Sequence, residues 1–319
     1  MNEQQAIAQM VSPGMRRPGI FRGGILQILV TRGCDKSCFH CTQGSNLGGK
    51  PMMITVDQFA EACDSLQSYF GVVGMFGGNP CIHPQFDKLC RIMREKIPFE
   101  QRGLWSNNPL GKGAICAITF NPKVSNLNVH LDQAAHDEFA TDWVAAKPYL
   151  KGLDSDSRHG PPFVAMQDVG LSEEEIWQNT ATCDVNQHWS ALIGVFRGEL
   201  RAWVCELMGA QAMIHQNEPD YPDTGMKVTP GWWRKPMTEF SEQVKYHCRR
   251  CGIPLKGYGQ LAIGGETEQV SETHKSIYKP KDKDRLVQLI TNRGELKEGA
   301  LAVATNYIEN SSVLAGDAI

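Results

Sequence analysis

Three cysteines near the amino terminus are spaced so that their thiolates lie on one short loop. Cys34, Cys38 and Cys41 follow the apolar run 25–30, which has the pattern of a buried strand. Three thiolates on one loop can hold three irons of a cubane cluster and leave the fourth iron free for a reactive ligand. Zinc sites usually draw their cysteines as C-x2-C pairs from two places, whereas iron–sulfur loops favour clustered cysteines. The spacing therefore predicts an iron–sulfur centre with one open coordination position.

Four further cysteines form a second set later in the chain. Cys183 and Cys205 flank a predicted β-hairpin, and Cys248 and Cys251 make a C-x2-C pair. Four thiolates close a metal centre and leave no position for a substrate. The ligand chemistry favours a second cluster over the alternative, a tetrahedral zinc ion.

Composition narrows the class of protein. The 319 residues are 41% apolar and 21% charged, which is typical of a soluble globular chain of one large domain or one large and one small. The net charge of −3 gives no reason to expect a polyanion-binding surface. We see neither a signal peptide nor a membrane-spanning run. Because reducing compartments do not keep structural disulfides, the eleven cysteines predict metal ligation in a cytoplasmic, oxygen-sensitive protein.

Strands alternate with helices from about residue 22, which predicts an α/β fold with a parallel sheet. Predicted helices lie at 55–69 and 84–96, and predicted strands lie at 25–30, 71–76, 104–106, 124–131 and 163–166. The cysteine loop and three polar segments fall at the carboxyl ends of strands, where parallel α/β barrels carry their working residues. We therefore predict a partial (β/α)6 barrel of the TIM type.

The same patterns suggest four segments. We expect an irregular arm at 1–21, the partial barrel at 22–180, a small cysteine-organised domain at 181–262 and a polar extension at 263–319. In the extension, the mixed-charge run 279–285 is expected to be a solvated face. Four tryptophans are expected to pack around the second cysteine set: Trp189, Trp203, Trp232 and Trp233.

A glycine-rich turn ends the second predicted strand and completes a recognisable combination. With Cys34, Cys38 and Cys41 on the first strand's loop and Gly77-Gly78-Asn79-Pro80 on the second, the chain resembles the radical S-adenosylmethionine (radical SAM) superfamily over residues 22–262. The cysteines match its C-x3-C-x-φ-C signature, and the turn is similar to its GGEP segment. Two positions depart from the pattern, because Asn79 stands for the usual Glu and His40 for an aromatic residue.

The resemblance implies a definite chemistry. The open iron of a [4Fe–4S] cluster chelates S-adenosylmethionine, one electron cleaves the sulfonium, and the 5′-deoxyadenosyl radical abstracts a hydrogen atom from a substrate in the barrel. The second cysteine set resembles the twitch domain of some members, which binds an auxiliary [4Fe–4S] cluster and passes electrons. In this architecture alone, the chain is similar to the aminocyclitol dehydrogenase of butirosin biosynthesis.

The resemblance also assigns cofactor contacts. Glycine lacks a Cβ, so the turn's backbone is expected to approach the methionine, while Asn79 accepts a hydrogen bond from its ammonium group. His40 is expected to stack near the adenine. The full expected set is His40, Gly77, Gly78, Asn79, Pro80, Ser106 and Asn107.

Three residues are candidates for the chemistry on the substrate. Cys81, directly after the turn, is either a hydrogen-atom donor or a packed thiol. His130 and Asp132 alternate on the predicted fourth strand, so both would point to one side, as a base or substrate ligand or as a polar barrel layer. Cys63, Cys90 and Cys116 are expected to be small buried side chains.

The function that follows is oxidation of a small polar substrate, such as a sugar, aminocyclitol or nucleoside-like alcohol. A flavodoxin- or ferredoxin-type protein would donate electrons. The alternatives are a redox-neutral epimerase or isomerase, radical modification of a peptide or nucleic acid, and a non-enzymatic iron–sulfur or zinc protein.

Overall fold

The structure is a computed structural model that describes residues 1–16, 24–143, 150–153, 158–188, 190–255 and 258–296. The strands are Ile25–Thr31 (β1), Val72–Gly77 (β2), Arg102–Ser106 (β3), Asn126–Asn128 (β4), Leu150–Lys151 (β5), Arg158–His159 (β6), Ser190–Phe196 (β7), Glu199–Trp203 (β8), Met226–Lys227 (β9), Gln260–Leu261 (β10), Glu268–Val270 (β11) and Val287–Leu289 (β12). The helices are Glu3–Gln9 (α1), Val56–Ser65 (α2), Phe86–Lys96 (α3), Gly113–Thr119 (α4), Gln133–Asp142 (α5), Glu173–Ala181 (α6), Asp184–His188 (α7), Glu206–His215 (α8), Ser241–His247 (α9) and Glu272–Lys275 (α10).

Strands β1 to β5 form a parallel arc in which each strand pairs with the next along the chain. Helices α2, α3, α4 and α5 connect them in turn. The predicted α/β fold with a partial barrel is confirmed, and the sheet does not close within the described residues. The sixth parallel strand, β7, lies beside β1 on the side away from β5, not after β5 as a sequential (β/α)6 order would have it.

Alternation along β1 separates two apolar layers. Ile25 and Leu29 pack with Trp105 in one buried cluster, while Leu26 and Ile28 belong to the larger core that includes the side chains of α2 and α3. All seven residues of β1 are buried. A strand buried on both faces reads as a continuous apolar run, which is why its sequence is easy to recognise.

Two local predictions are confirmed in detail. Thr55 caps α2 and forms a reciprocal capping box with Gln58, an arrangement worth about 0.5–2 kcal/mol. The predicted hairpin is β7 and β8, which pair antiparallel around the turn at Arg197 and Gly198.

Two strand predictions are wrong. Residues 163–166 form a turn leading into a short 3-10 helix, Met166–Asp168, because Pro161 and Pro162 have no N–H for a ladder and the N–H of Val164 donates to the carbonyl of Pro161. The fourth strand is only β4, three residues long, rather than 124–131. The fifth strand is β5.

Strand β7 joins the hairpin to the barrel sheet. Ile25 of β1 pairs with Ser190, and Leu192 pairs with Trp203 near the end of β8. By this register, Cys205 lies towards the amino end of β1, whereas the three-cysteine loop leaves its carboxyl end. The two cysteine sets therefore lie at opposite ends of one strand.

Helix α8 runs from Cys205, its N-cap, back along the sheet. A Cβ on Gly209 would lie 2.5 Å from Leu192, and a Cβ on Gly44 would lie 2.5 Å from Ile214. The helix thus begins at the second cysteine set and ends against the segment that follows the first. No helix in the described part of the chain is long and apolar enough to cross a membrane.

Candidate functional site

The three-cysteine loop is shaped by backbone N–H groups that point at sulfur. The N–H of Lys36 donates to Cys34 Sγ and that of Ser45 donates to Cys41 Sγ, each at 3.4 Å. Cys38 is buried. Burial raises the pKa of Cys34 to about 12. The donors on sulfur fit thiolate ligands of a metal centre.

The turn Gly77–Pro80 packs directly on that loop. The N–H of Gly78 donates to the Thr31 carbonyl at 2.9 Å, and the N–H of Asn79 donates to the Gly33 carbonyl at 2.8 Å. A Cβ on Gly77 would lie 2.4 Å from Thr31 O, and one on Gly78 would lie 2.3 Å from Gly33 O. Both glycines are therefore needed so that the turn can pack against the start of the cysteine loop. The sequence had predicted a different reason for them, a close approach of the turn's backbone to methionine.

We expect Gly78→Ala to weaken both the fold and the cysteine loop. The new methyl group must displace backbone, so the free energy of unfolding should fall by about 1–3 kcal/mol. Thermal or denaturant unfolding measures this change, and iron content after reconstitution reports on the loop. Gly48→Ala is the matched control, because its nearest atom would lie at an ordinary 3.5 Å. Equal stability of the two variants would contradict the prediction.

Asn79 is fully buried and its amide is already satisfied. Its oxygen accepts from the N–H of Cys81 at 3.1 Å and from Ser106 Oγ at 2.9 Å. Its nitrogen donates to Asp35 and to the Asn108 carbonyl, both at 2.8 Å. These bonds hold the Asn79 side chain within the turn, and its contact with a methionine ammonium stays a prediction.

A carboxylate that sequence reasoning missed lies beside this turn. Asp35 accepts hydrogen bonds from the side-chain amides of Asn79, Asn107 and Asn108, at 2.8, 3.5 and 3.2 Å. Its Oδ1 also lies 3.9 Å from Cys34 Sγ. The only sequence feature that could have indicated this carboxylate was the position of an acidic residue directly after the first cysteine.

Cys81 is packed behind the turn. Its side chain is 1% exposed, and its sulfur lies 3.8 Å from Ser106 Oγ and 3.9 Å from Cys116 Sγ. This environment favours the packed-thiol alternative over a hydrogen donor. The prediction that Cys63, Cys90 and Cys116 are buried is confirmed.

The prediction that His130 and Asp132 alternate on a strand is wrong. β4 ends at Asn128, and His130 and Leu131 have positive φ values of 49° and 64°, which turns the chain away from the sheet. The His130 ring lies 5.9 Å from the ring of His159.

Each carboxylate oxygen of Asp132 has a partner within the protein. It caps α5 by accepting from the N–H of Ala135 at 3.0 Å, and it pairs with Lys36 Nζ at 2.5 Å. The hydrogen bond from Lys36 holds the pKa of Asp132 below its usual range. Since Lys36 lies between two cysteines, this pair ties the cysteine loop to the start of α5.

His40 lies in the interior of the protein. It is fully buried with φ of 50°, and its N–H donates to Glu268 at 2.9 Å. Its ring nitrogens lie 3.2 Å from the His159 carbonyl and 3.1 Å from Gln260 Nε2. Burial lowers the pKa of His40 to about 4, so the ring is neutral at pH 7 and both its nitrogens are engaged by the protein.

Residues from the carboxyl-terminal extension hold the cysteine loop by its carbonyl groups. Lys281 Nζ donates to the carbonyls of Cys34 at 2.9 Å and Lys36 at 3.2 Å. Arg285 donates to the Cys38 carbonyl at 3.2 Å and to that of Ser37, and its guanidinium lies 4.1 Å from the centre of the Phe39 ring.

Arg285 also pairs with Glu268 at 3.1 Å, with side chains only 4% and 0% exposed. We call Glu268, Lys281 and Arg285 the clamp. The prediction that residues 279–285 form a solvated face is confirmed for Lys281, which is exposed, but it is wrong for Arg285, whose side chain is buried against the loop carbonyls and Glu268.

The second cysteine set converges on one cavity. Cys183, Cys205, Cys248 and Cys251 are all buried and all line one small cavity of about 20 Å³. Asn186 Nδ2 points at Cys248 Sγ at 3.6 Å. In the described part of the chain, no three His, Cys, Asp or Glu side chains meet at the spacing of a single-ion site.

Two of these cysteines lie at helix N-termini. Cys205 is the N-cap residue of α8, and Cys183 directly precedes α7. Burial raises the pKa of Cys205 to about 12. Helix N-termini favour thiolates, and soft ligands with N–H donors fit an iron–sulfur centre.

Three of the four tryptophans share the large core with the second cysteine set. Trp203, Trp232 and Trp233 are buried in the same cluster as Cys205, Cys248 and Cys251, although none of the three lines the cavity itself. Trp189 lies outside the described residues.

Buried histidines beneath the second site predict a dependence of stability on pH. His215 Nε2 lies 3.1 Å from His274 Nδ1, and His274 Nε2 donates to the Arg250 carbonyl at 2.7 Å. Burial lowers the pKa of His274 to about 3, and that of His247 likewise to about 3.

Below about pH 6.5 the unfolded chain therefore binds protons that the folded chain does not. We expect the free energy of unfolding to fall as pH drops from about 6.5 towards 3, by up to about 1.4 kcal/mol per pH unit for each histidine. Denaturant unfolding at pH 7, 6 and 5 measures the slope, which His274→Gln should reduce. An unchanged slope in that variant would contradict the assignment.

With this geometry established, comparison with known proteins gives one family match. Residues 28–135 match the Radical SAM superfamily. This segment is a radical SAM domain. The resemblance predicted from the cysteine loop and the Gly77–Pro80 turn is thereby confirmed, since both motifs lie within the matched residues.

Solved structures that are similar to the chain include the crystal structure of BtrN in complex with AdoMet and 2-DOIA. This structure is 14% identical with a TM-score of 0.42, and the match covers 72% of this chain and 92% of BtrN. A search of curated proteins found no match.

Proposed function

We propose that this protein is a radical SAM oxidoreductase acting on a small polar alcohol, such as a sugar, aminocyclitol or nucleoside-like molecule. The observation that carries the proposal is the pairing of a radical SAM domain with a separate cavity lined by four cysteines. An alcohol that becomes a carbonyl loses a carbon-bound hydrogen atom, a hydroxyl proton and one further electron. A cluster held by three cysteines has one open iron and can serve as the radical source. A cluster held by four cysteines has no open iron and can serve as the electron acceptor.

In this proposal Cys34, Cys38 and Cys41 hold a [4Fe–4S] cluster whose open iron binds S-adenosylmethionine. When bound, these groups supply one-electron cleavage of the sulfonium and abstraction of a hydrogen atom. Asp35, beside Cys34, offers the carboxylate that Asn79 lacks, and we assign it to the methionine ammonium. A charge-assisted bond of this kind is stronger than one to a neutral amide.

Cys183, Cys205, Cys248 and Cys251 hold the auxiliary [4Fe–4S] cluster, which when bound supplies an acceptor for the second electron. The burial of all four cysteines limits the contact of that centre with solvent. We do not assign the hydrogen-donor role of a redox-neutral isomerase to Cys81, because its 1% exposed thiol is packed against Cys116. A flavodoxin- or ferredoxin-type donor is proposed as the reductant.

Anaerobic reconstitution tests the proposal. Protein with iron, sulfide, reductant and S-adenosylmethionine should form 5′-deoxyadenosine and bind about eight irons per chain, four for each cubane. Candidate alcohols deuterated at carbon should then transfer label into 5′-deoxyadenosine and yield the carbonyl product. Absence of 5′-deoxyadenosine from iron-loaded protein would overturn the radical chemistry. About four irons with one zinc would overturn the auxiliary cluster alone.

A further inference from the structure

Arg16 is a buried cation without a hydrogen-bonded anion. Its side chain is 0% exposed, and only Nε has a partner, the Val11 carbonyl at 3.1 Å. Both terminal nitrogens of the guanidinium lack a hydrogen-bond partner in the part of the chain that the structure describes. Burying a charge without compensation is costly, so something at this position must balance it.

The position of Arg16 in the fold indicates what that partner is. Gly24, the residue before β1, has φ of +80°, and a Cβ on it would lie 2.9 Å from the Arg16 carbonyl oxygen. Arg16 therefore lies at the amino end of β1, where the register of β7 and β8 also places Cys205.

The groups that interact electrostatically with Arg16 also indicate the second cysteine set. Burial lowers the pKa of Arg16 to about 10, and the groups that oppose this shift are Cys205, Cys183, Tyr69 and Cys248. None of these is a carboxylate, and all three cysteines line the second cavity. Neutral thiols do not balance a guanidinium, whereas thiolates that ligate a metal centre do.

We propose that Arg16 is the counter-charge of the second cysteine site and sets the reduction potential of the centre bound there. The inference rests on the metal centre assigned to that site under the proposed function. Four thiolates around a [4Fe–4S] core leave a net negative charge, and reduction adds another. A neighbouring cation favours the reduced state, since net charge around a cluster tunes its potential.

The experiment isolates the second site. In a Cys34→Ala/Cys38→Ala/Cys41→Ala background, only the second set ligates metal, and its midpoint potential is measured by an anaerobic titration followed by electron paramagnetic resonance. Arg16→Met should shift the reduction equilibrium at least tenfold towards the oxidised state, about 59 mV for a one-electron couple. Arg16→Lys, which keeps the charge, should shift it less.

Arg102→Met is the matched control, because Arg102 is a buried arginine whose charged neighbours are Arg94 and Glu100. It should leave the potential unchanged. If the midpoint potential of Arg16→Met equals that of the background protein, the proposal is overturned. Should Arg16→Met fail to fold by circular dichroism, Arg16→Gln replaces it with the same expected tenfold shift, and Arg16→Lys remains the comparison that keeps the charge.

Other outcomes remain decisive. If the background protein binds zinc, release of zinc to a chelator replaces the potential, and Arg16→Met should accelerate it at least tenfold; an equal rate would overturn the proposal. A background protein that retains no metal would overturn it too. Formation of 5′-deoxyadenosine by the parent chain is scored separately, so failure of the radical chemistry is distinguishable from failure at Arg16.

Discussion

Cys38→Ala is expected to remove 5′-deoxyadenosine formation, lowering its rate by more than about 100-fold. Loss of a ligand should exceed the 10–100-fold cost of losing an outer partner of a metal site. Bound iron should fall from about eight to about four per chain, because the second cysteine set keeps its own cluster. Liquid chromatography of the reaction and iron analysis of the same sample measure both effects.

Cys90→Ala is the matched control for this variant. Cys90 is likewise a buried cysteine, but it lies within α3 and packs in the large core. It should keep its iron and its activity while losing some stability. A Cys38→Ala protein that still forms 5′-deoxyadenosine would contradict the ligand assignment.

Arg285→Met is expected to destabilise the protein by about 3–5 kcal/mol, because it leaves the buried Glu268 carboxylate without its cation. The carbonyls of Ser37 and Cys38 also lose their donor. We therefore expect the variant to retain less iron in the first site. Denaturant unfolding and iron content after gel filtration measure the two effects.

A double variant separates charge from packing. Arg285→Met/Glu268→Gln removes both charges and should recover part of the stability lost in Arg285→Met. Arg293→Met is the exposed control, since Arg293 is 55% exposed and lies 4.0 Å from Glu175, and such pairs contribute about 0–1 kcal/mol. Equal stability of Arg285→Met and Arg293→Met would show that the clamp does not hold the loop.

Features that depend on neighbours in sequence were predictable. The cap of α2 needs only Thr55 and Gln58, and the β7–β8 hairpin needs only two apolar runs and a turn. The cysteine loop was recognisable because its three ligands lie within eight positions of the chain. Local spacing determines each of these features, so the sequence alone was sufficient.

Features that depend on distant contacts were not predictable. Glu268 meets the backbone of His40 across 228 positions, and Lys281 meets the Cys34 carbonyl across 247. The mixed charges of 279–285 are typical of a solvated run, and nothing in them signals buried partners. Similarly, Arg16 lies in a segment with no regular pattern, and its burial becomes evident only in the folded chain.

Helix α8 acts as a spacer of fixed length between the two cysteine sets. Its ten residues, from the cap at Cys205 to the end beside Gly44, span about 15 Å. Electron tunnelling falls off steeply with distance, and a helix packed along a sheet changes its length very little. Under the proposed function, the distance over which an electron passes between the two sites would be set by a rigid backbone element.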